Sequence, residues 1–103
     1  MFTLYCIIII CLGYEVDLRM AAEVEDVDII VGGHSHTFLF SGEQPPSIEV
    51  PSGPYPTYVT NSFGKVVPVV QVYCYTKYLG HLELNFDQQV KLANSLFKSL
   101  WTG

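Results

Sequence analysis

Apolar residues fall along this chain in several distinct rhythms, and each rhythm predicts a different element. Met1 to Leu12 is almost unbroken apolar sequence, with isoleucines at its centre and Gly13 closing it. Such a run predicts a buried parallel strand, since β-branched side chains covered on both faces need no alternation. It is too short to cross a bilayer. A secretory signal core is the alternative reading, although a charged n-region and a small-residue cleavage site are lacking. From Gly13 to Asp26 the period lengthens. Val16, Met20 and Val24 recur every fourth residue, which predicts a helix with an apolar stripe. Glu15 and Asp17 would sit in its first turn, where the helix dipole favours anions, and Glu15 and Arg19 would pair on its outer side. Val27 to Val31 is a second short buried run. Strand, helix and strand in succession predict a βαβ unit with a right-handed crossover.

Gly42 to Pro56 holds five of the six prolines and predicts a long loop. Thr57 to Thr60 and Lys65 to Val72 read as strands joined by the turn-forming Asn61-Ser-Phe-Gly64. Pro68 inside the second of these predicts an edge strand or a bulge, because it cannot donate to a ladder. His81 to Asp87 alternates strictly. Leu82, Leu84 and Phe86 lie on one face, and His81, Glu83, Asn85 and Asp87 on the other, as in a half-buried strand. Beyond Gln88, the spacing of Val90, Ala93, Phe97, Leu100 and Trp101 fits an amphipathic helix, or else a foreign tail with an accidental period. The chain contains no internal repeat.

Composition narrows the partners. At 103 residues and 11.6 kDa there is room for one small domain, which buries roughly two thirds of its unfolded surface. Half of the residues are hydrophobic and 14% aromatic, which argues against disorder. The net charge is −5, and Arg19, Lys65, Lys77, Lys91 and Lys98 are scattered. Without a basic patch, a nucleic-acid partner held through phosphate contacts is excluded. The acidity would repel an anionic substrate unless bound cations reverse the local field. Cys6, Cys11 and Cys74 are odd in number and lack the C-x-x-C spacing, so they form no disulfide framework.

The chemistry concentrates in Asp28-Ile-Ile-Val-Gly-Gly-His-Ser-His-Thr-Phe38. A strand that ends in a glycine corner and then presents two imidazoles is one way an α/β protein offers ligands at the carboxyl end of its sheet. Neutral imidazole is the commonest metal-binding side chain near pH 7. His34 and His36 are therefore candidate metal ligands, while the strand alternation turns His81 to solvent. Cys11 ends the first predicted strand as His34 follows the second, so the βαβ unit brings it to the same sheet edge. Against this stands the commoner role of a lone cysteine as a small buried hydrophobe. On the residues alone, a small metal-binding α/β module is one reading.

Several motifs together resemble a known family. Gly13-Tyr-Glu-Val-Asp17, the segment Val27 to Leu39, Ser41-Gly42, Pro54-Tyr-Pro56, Val67-Pro-Val-Val-Gln71, Lys77-Tyr-Leu-Gly80 and Phe86-Asp87 resemble the metallophosphoesterase domain of 5′-nucleotidases and apyrases. The resemblance runs over roughly residues 7 to 87. It implies an α/β fold. That fold would be a partial calcineurin-like metallophosphoesterase domain, with a βαβ unit followed by antiparallel strands, cut from a four-layer αββα sandwich. By the same token, residues 1–87 are the C-terminal part of the catalytic domain and 88–103 a divergent tail, whose spacing fits a helix.

The resemblance also implies roles. The family binds two divalent metal ions, zinc being favoured here, with manganese or magnesium as alternatives. His34 falls on the histidine that holds one metal, and His36 on the polar residue that holds the other. Cys11 stands where the family has a further ligand histidine. A thiolate holds zinc but disfavours the harder cations. The family's D-x-H, G-D and G-N-H-E segments are absent from this sequence, as is its base-gripping C-terminal domain. The implied function is hydrolysis of nucleotides such as AMP by an extracellular or cell-surface enzyme, with the isolated chain inactive. Membrane association is implied only for full-length relatives. The alternatives are an apyrase-type ATP/ADP hydrolase and a truncated or secreted form that acts by binding.

Overall fold

The computed structural model describes residues 4–86 and the backbone of 92–101. The elements run β1 (Ile7–Ile9), α1 (Tyr14–Glu23), β2 (Ile29–Val31), β3 (Thr57–Thr60), β4 (Val66–Val70), β5 (Tyr78–Phe86) and β6 (Leu92–Trp101). A mixed four-stranded sheet has the order β1-β2-β4-β3, and β5 and β6 form a separate two-stranded sheet. β1 lies parallel to β2 in the register Ile8↔Ile30, and β2 parallel to β4 through Ile30↔Val69. β3 returns antiparallel along β4, from Thr57↔Val69 to Thr60↔Val66. The expected βαβ unit and the antiparallel strands after it are present.

Helix α1 starts at Gly13, whose side chain cannot cap it, with Glu15 and Asp17 in the first turn. It stops where Val24 turns extended, its amide still donating to Met20 O at 3.0 Å, and Asp26 follows with φ 65°. The helix is thus shorter than the span Gly13 to Asp26. Its buried line also differs from the expected stripe. Asp17 and Ala21 are fully buried, Tyr14, Leu18 and Met20 pack around the core, and Val24 is exposed. Among the described residues no ion pair joins Glu15 to Arg19. Ala21, Val27, Ile30, Val67 and Val69 make the core beneath α1. Leu39, Tyr55 and Val70 make a second cluster, with Leu82 of β5 against it. Val69 and Val70 serve different clusters because neighbouring strand residues face opposite ways.

Three expectations need correction. The first apolar run does form a strand, but an edge strand. Ile7 is 61% and Ile9 79% exposed, and only Ile8 and Ile10 pack inward. Just before it, Tyr5 meets the Phe86 ring of β5 at 4.8 Å between centroids. Pro68 sits in β4, which is interior to the sheet and largely covered. Pairing with β2 begins only at Val69, so no β2 carbonyl calls for the missing Pro68 N–H. The helical spacing beyond Gln88 is not realised. Leu92–Trp101 is a strand paired with β5 from Phe86↔Leu92 to Tyr78↔Trp101. A long alternating strand with a free edge offers main-chain partners that outweigh a weak intrinsic period. Val90 lies outside the described residues.

Other readings hold. The Gly42–Pro56 stretch is irregular and is held to the rest by a bridge between Leu39 and Gly53 and by Glu49, which meets Lys77 and Tyr78. The β3–β4 turn closes as expected. Asn61 Oδ1 accepts from the amides of Phe63 and Lys65, both at 2.9 Å, and Gly64 takes φ 82°, which few other residues tolerate. In β5, Leu82, Leu84 and Phe86 are half-buried and His81, Glu83 and Asn85 exposed. His81 Nε2 lies 3.6 Å from Glu83 Oε1 at the surface. No described helix is long and apolar enough to cross a membrane.

Candidate metal-ligand loop

The last ladder bond of β2 is Gly32 N to Val70 O, at 2.8 Å. Beyond it the chain turns through Gly33, His34, Ser35, His36 and Thr37 at the carboxyl ends of β1, β2 and β4. His34 has φ 74° and His36 φ 51°, both in the left-handed region that non-glycine residues seldom enter. Side chains held there cost free energy that surrounding contacts must offset, and such residues cluster at functional sites.

Those contacts radiate from Ser35. Its Oγ accepts the Tyr14 amide at 3.0 Å and lies 2.6 Å from Thr37 Oγ1. The Thr37 amide donates to Gln71 Oε1 at 2.6 Å, and both of these side chains are buried. Gln71 Nε2 also faces Ser35 Oγ at 3.4 Å, and the Tyr73 amide donates to Thr37 O at 3.0 Å. The loop is thereby tied to the first turn of α1 and to the end of β4. Sequence reading did not single out Ser35, Thr37 or Gln71. The signal was available in a helix that starts at a glycine without a capping side chain and a serine lying between the candidate ligands.

His34 lines an open cavity of about 430 Å³ with Leu12, Gly13, Tyr14, Ser35 and Ser52. His36 meets the exposed Tyr75 ring edge-on, at 5.6 Å between centroids. Tyr75 lies in a strained segment, since Tyr73, Tyr75 and Thr76 all have positive φ. Cys11 is exposed at the end of the β1 run, its Sγ 4.0 Å from where a Cβ on Gly33 would stand. The fold therefore brings all of these residues to one sheet edge. It does not join them into a site. Among the described residues, no three His, Cys, Asp or Glu side chains are grouped to hold a metal ion. The donors of this chain do not by themselves fit a resident metal pair.

Beneath the corner, Asp17 is wholly buried, and neither carboxylate oxygen has a hydrogen-bond partner among the described residues. Burial raises its pKa above the ordinary 3.8. On the far side of the loop region, Lys77 Nζ pairs with Glu49 Oε1, and the Tyr78 hydroxyl donates to Glu49 Oε2 at 2.6 Å. These two donors lower the Glu49 pKa to about 2, Lys77 contributing most.

No family model matches the chain. Curated proteins do. It is 52% identical over 83 residues to the 5′-nucleotidase of Bos taurus, a match that covers 81% of this chain and 14% of that protein. The matched stretch is 5′-nucleotidase-family sequence. The snake venom 5′-nucleotidase of Crotalus adamanteus is 47% identical over 83 residues, with the same coverage of 81% and 14%. Among solved structures, the 5′-nucleotidase precursor from Thermus thermophilus superposes with a TM-score of 0.79 at 42% identity, over 91% of this chain and 19% of that one. The chain thus spans about one seventh of the length of the curated relatives it matches. The mixed α/β sheet with its single described helix is a part of the 5′-nucleotidase fold.

Proposed function

We propose that this chain supplies the histidine loop of a metal-dependent 5′-nucleotidase, a phosphoric ester hydrolase acting on nucleotides such as AMP. The observation that carries the reading is the geometry of Gly32 to Thr37. Two imidazoles sit at the carboxyl ends of the parallel strands, in strained left-handed conformations that the surrounding hydrogen bonds sustain, within sequence half identical to enzymes of that name. In the complete protein, His34 and His36 would each hold one of two divalent cations, zinc first among the candidates. The cations would offset the charge of the phosphate and activate water. The side chains of this chain would position the ions and would not move protons themselves. Cys11 would take the place of a further ligand on the same edge.

Residues 1–87 form, on this reading, the C-terminal part of the catalytic domain within a four-layer αββα sandwich, with 88–103 divergent. An extracellular or cell-surface setting is supported by a relative found in venom. Because no three donors gather among the described residues, the isolated chain is expected to be inactive. The same fact favours a second reading, a form that acts by binding.

The test is a transplant. The matching stretch of a full-length 5′-nucleotidase is replaced by residues 7 to 87, and AMP hydrolysis is assayed with zinc, manganese or magnesium. Retained hydrolysis that is lost on His34→Ala or His36→Ala is the expected result. A chimera that folds and hydrolyses AMP equally well without both histidines would overturn the reading. Turnover by the isolated 103-residue chain would overturn its inactivity.

A further inference from the structure

We infer that Ser35 is a positioning residue, the latch that holds His34 and His36 in their left-handed conformations by capping helix α1 from outside. Its importance to chemistry rests on the reading of those histidines as ligands. Its structural claim does not.

The argument begins with an omission. α1 starts at Gly13, which has no side chain to take up an amide of the first turn, although helix starts ordinarily recruit Ser, Thr, Asp or Asn for that purpose. The Ser35 hydroxyl, twenty-one positions along the chain, accepts the Tyr14 amide at 3.0 Å. A hydroxyl accepts and donates at once. Having accepted from α1, the Ser35 oxygen also lies 2.6 Å from Thr37 Oγ1. Thr37 is in turn fixed, because its amide reaches the buried Gln71 Oε1 at 2.6 Å. The Ser35 amide donates to Gly33 O at 2.9 Å, which tightens the turn from the glycine side. Ser35 is therefore tethered on both sides of itself and to α1, and each of its neighbours in sequence is a histidine with positive φ. Histidine lacks the freedom that glycine has in that region, so the strain needs a restraint. Ser35 is the residue between them that provides one.

The device couples the helix start to the ligand edge.

The test uses the 103-residue chain, with amide exchange and intraresidue amide-to-Hα NOEs, which are strong at positive φ. In Ser35→Ala the Tyr14 amide should exchange roughly fivefold faster, as expected for a lost cap, and the strong NOEs of His34 and His36 should weaken. Ser35→Thr should restore both. Unchanged NOEs at both histidines in Ser35→Ala would overturn the proposal, as would a loss that Ser35→Thr does not rescue. Thr37→Val covers the case in which Ser35→Ala fails to fold. It keeps the main-chain bond to Gln71 and removes the hydroxyl partner, so Tyr14 protection should fall, and full protection would refute the latch. Zinc titration of the wild type, His34→Ala and His36→Ala separately tests the ligand reading. Failure there leaves the NOE result standing.

Discussion

A Cβ on Gly32 would stand 1.8 Å from Oδ2 of Asp17, so the carboxylate occupies the space that any other residue at position 32 would need. Gly32 is the first residue past β2, and Asp17 lies in the first turn of α1, so this contact sets how closely the helix approaches the corner that carries the histidines. Gly32→Ala is expected to destabilise the chain by about 1–3 kcal/mol, as overpacking of a filled site does. Asp17→Ala should recover part of that loss in the double variant, because the two positions share one volume. Urea midpoints of the four proteins of the cycle measure it, and additive losses would show that the contact is not shared.

Asp17 also predicts a pH dependence. Its folded-state pKa is raised above 3.8 by burial. The unfolded chain therefore ionises first as pH rises, and the native state binds more protons. Stability from this group is fully present below the unfolded value and declines as pH climbs through the folded one. Asp17→Asn cannot ionise, so its stability should be flatter with pH. It should gain on the wild type as pH rises above the ordinary 3.8, and parallel curves would refute the burial argument.

Glu49 runs the other way. Its carboxylate takes Lys77 and the Tyr78 hydroxyl, tying the Gly42–Pro56 loop to the start of β5, and its pKa is held at about 2 against the usual 4.5. A depressed acid contributes stability above its unfolded pKa and loses it as pH falls through the folded one. Amide exchange in residues 47–50 should accelerate as the pH is lowered from 4.5 toward 2, after correction for intrinsic rates. Glu49→Gln should show fast exchange throughout. The pair is close to the surface, so salt should also loosen the loop, and salt-independent protection would count against the clamp.

How much of this was legible differs by element. Thr57–Thr60, the Asn61–Gly64 turn and the alternation of Leu82, Leu84 and Phe86 follow from local sequence, because turn chemistry and a half-buried face are written in neighbouring residues. Pro68 escapes such a reading because its tolerance depends on where β2 begins to pair, a fact about another strand. The segment beyond Gln88 escapes it because its partner is β5, and a ten-residue stretch takes the conformation its partner offers. The histidines are visible through the glycines before them. Ser35 and Asp17 are not, because capping across twenty-one residues and burial against a glycine are tertiary facts.

Asp28 anchors the edge strand. It is 3% exposed, pairs with Lys65 Nζ, and accepts the Cys6 amide at 2.7 Å, so one carboxylate joins the start of β1 to the β3–β4 turn. Lys65→Met would leave a buried charge without its counter-ion, at a cost of about 3 kcal/mol or more. Asp28→Asn in the same background should restore part of it, because the uncompensated charge is gone while an acceptor for Cys6 remains. Thermal melts of the single and double variants decide, and a double variant no better than Lys65→Met would show that the charge is not what the pair serves.

The strand that Asp28 anchors is also where the chain should associate with itself. β1 ends the sheet, no described strand pairs with its outer edge, and Ile7 and Ile9 are exposed beside it. An exposed apolar edge is a template for another strand, and a lysine on such an edge opposes pairing. Ile9→Lys should therefore raise the monomer fraction in light scattering while leaving the far-UV dichroism unchanged. Ile8→Lys makes the complementary control, because Ile8 packs against the core under α1 and faces the other way. It should lose the fold, since a charge cannot be buried there without a partner. If Ile9→Lys aggregates as the wild type does, the free β1 edge is not the surface through which copies meet.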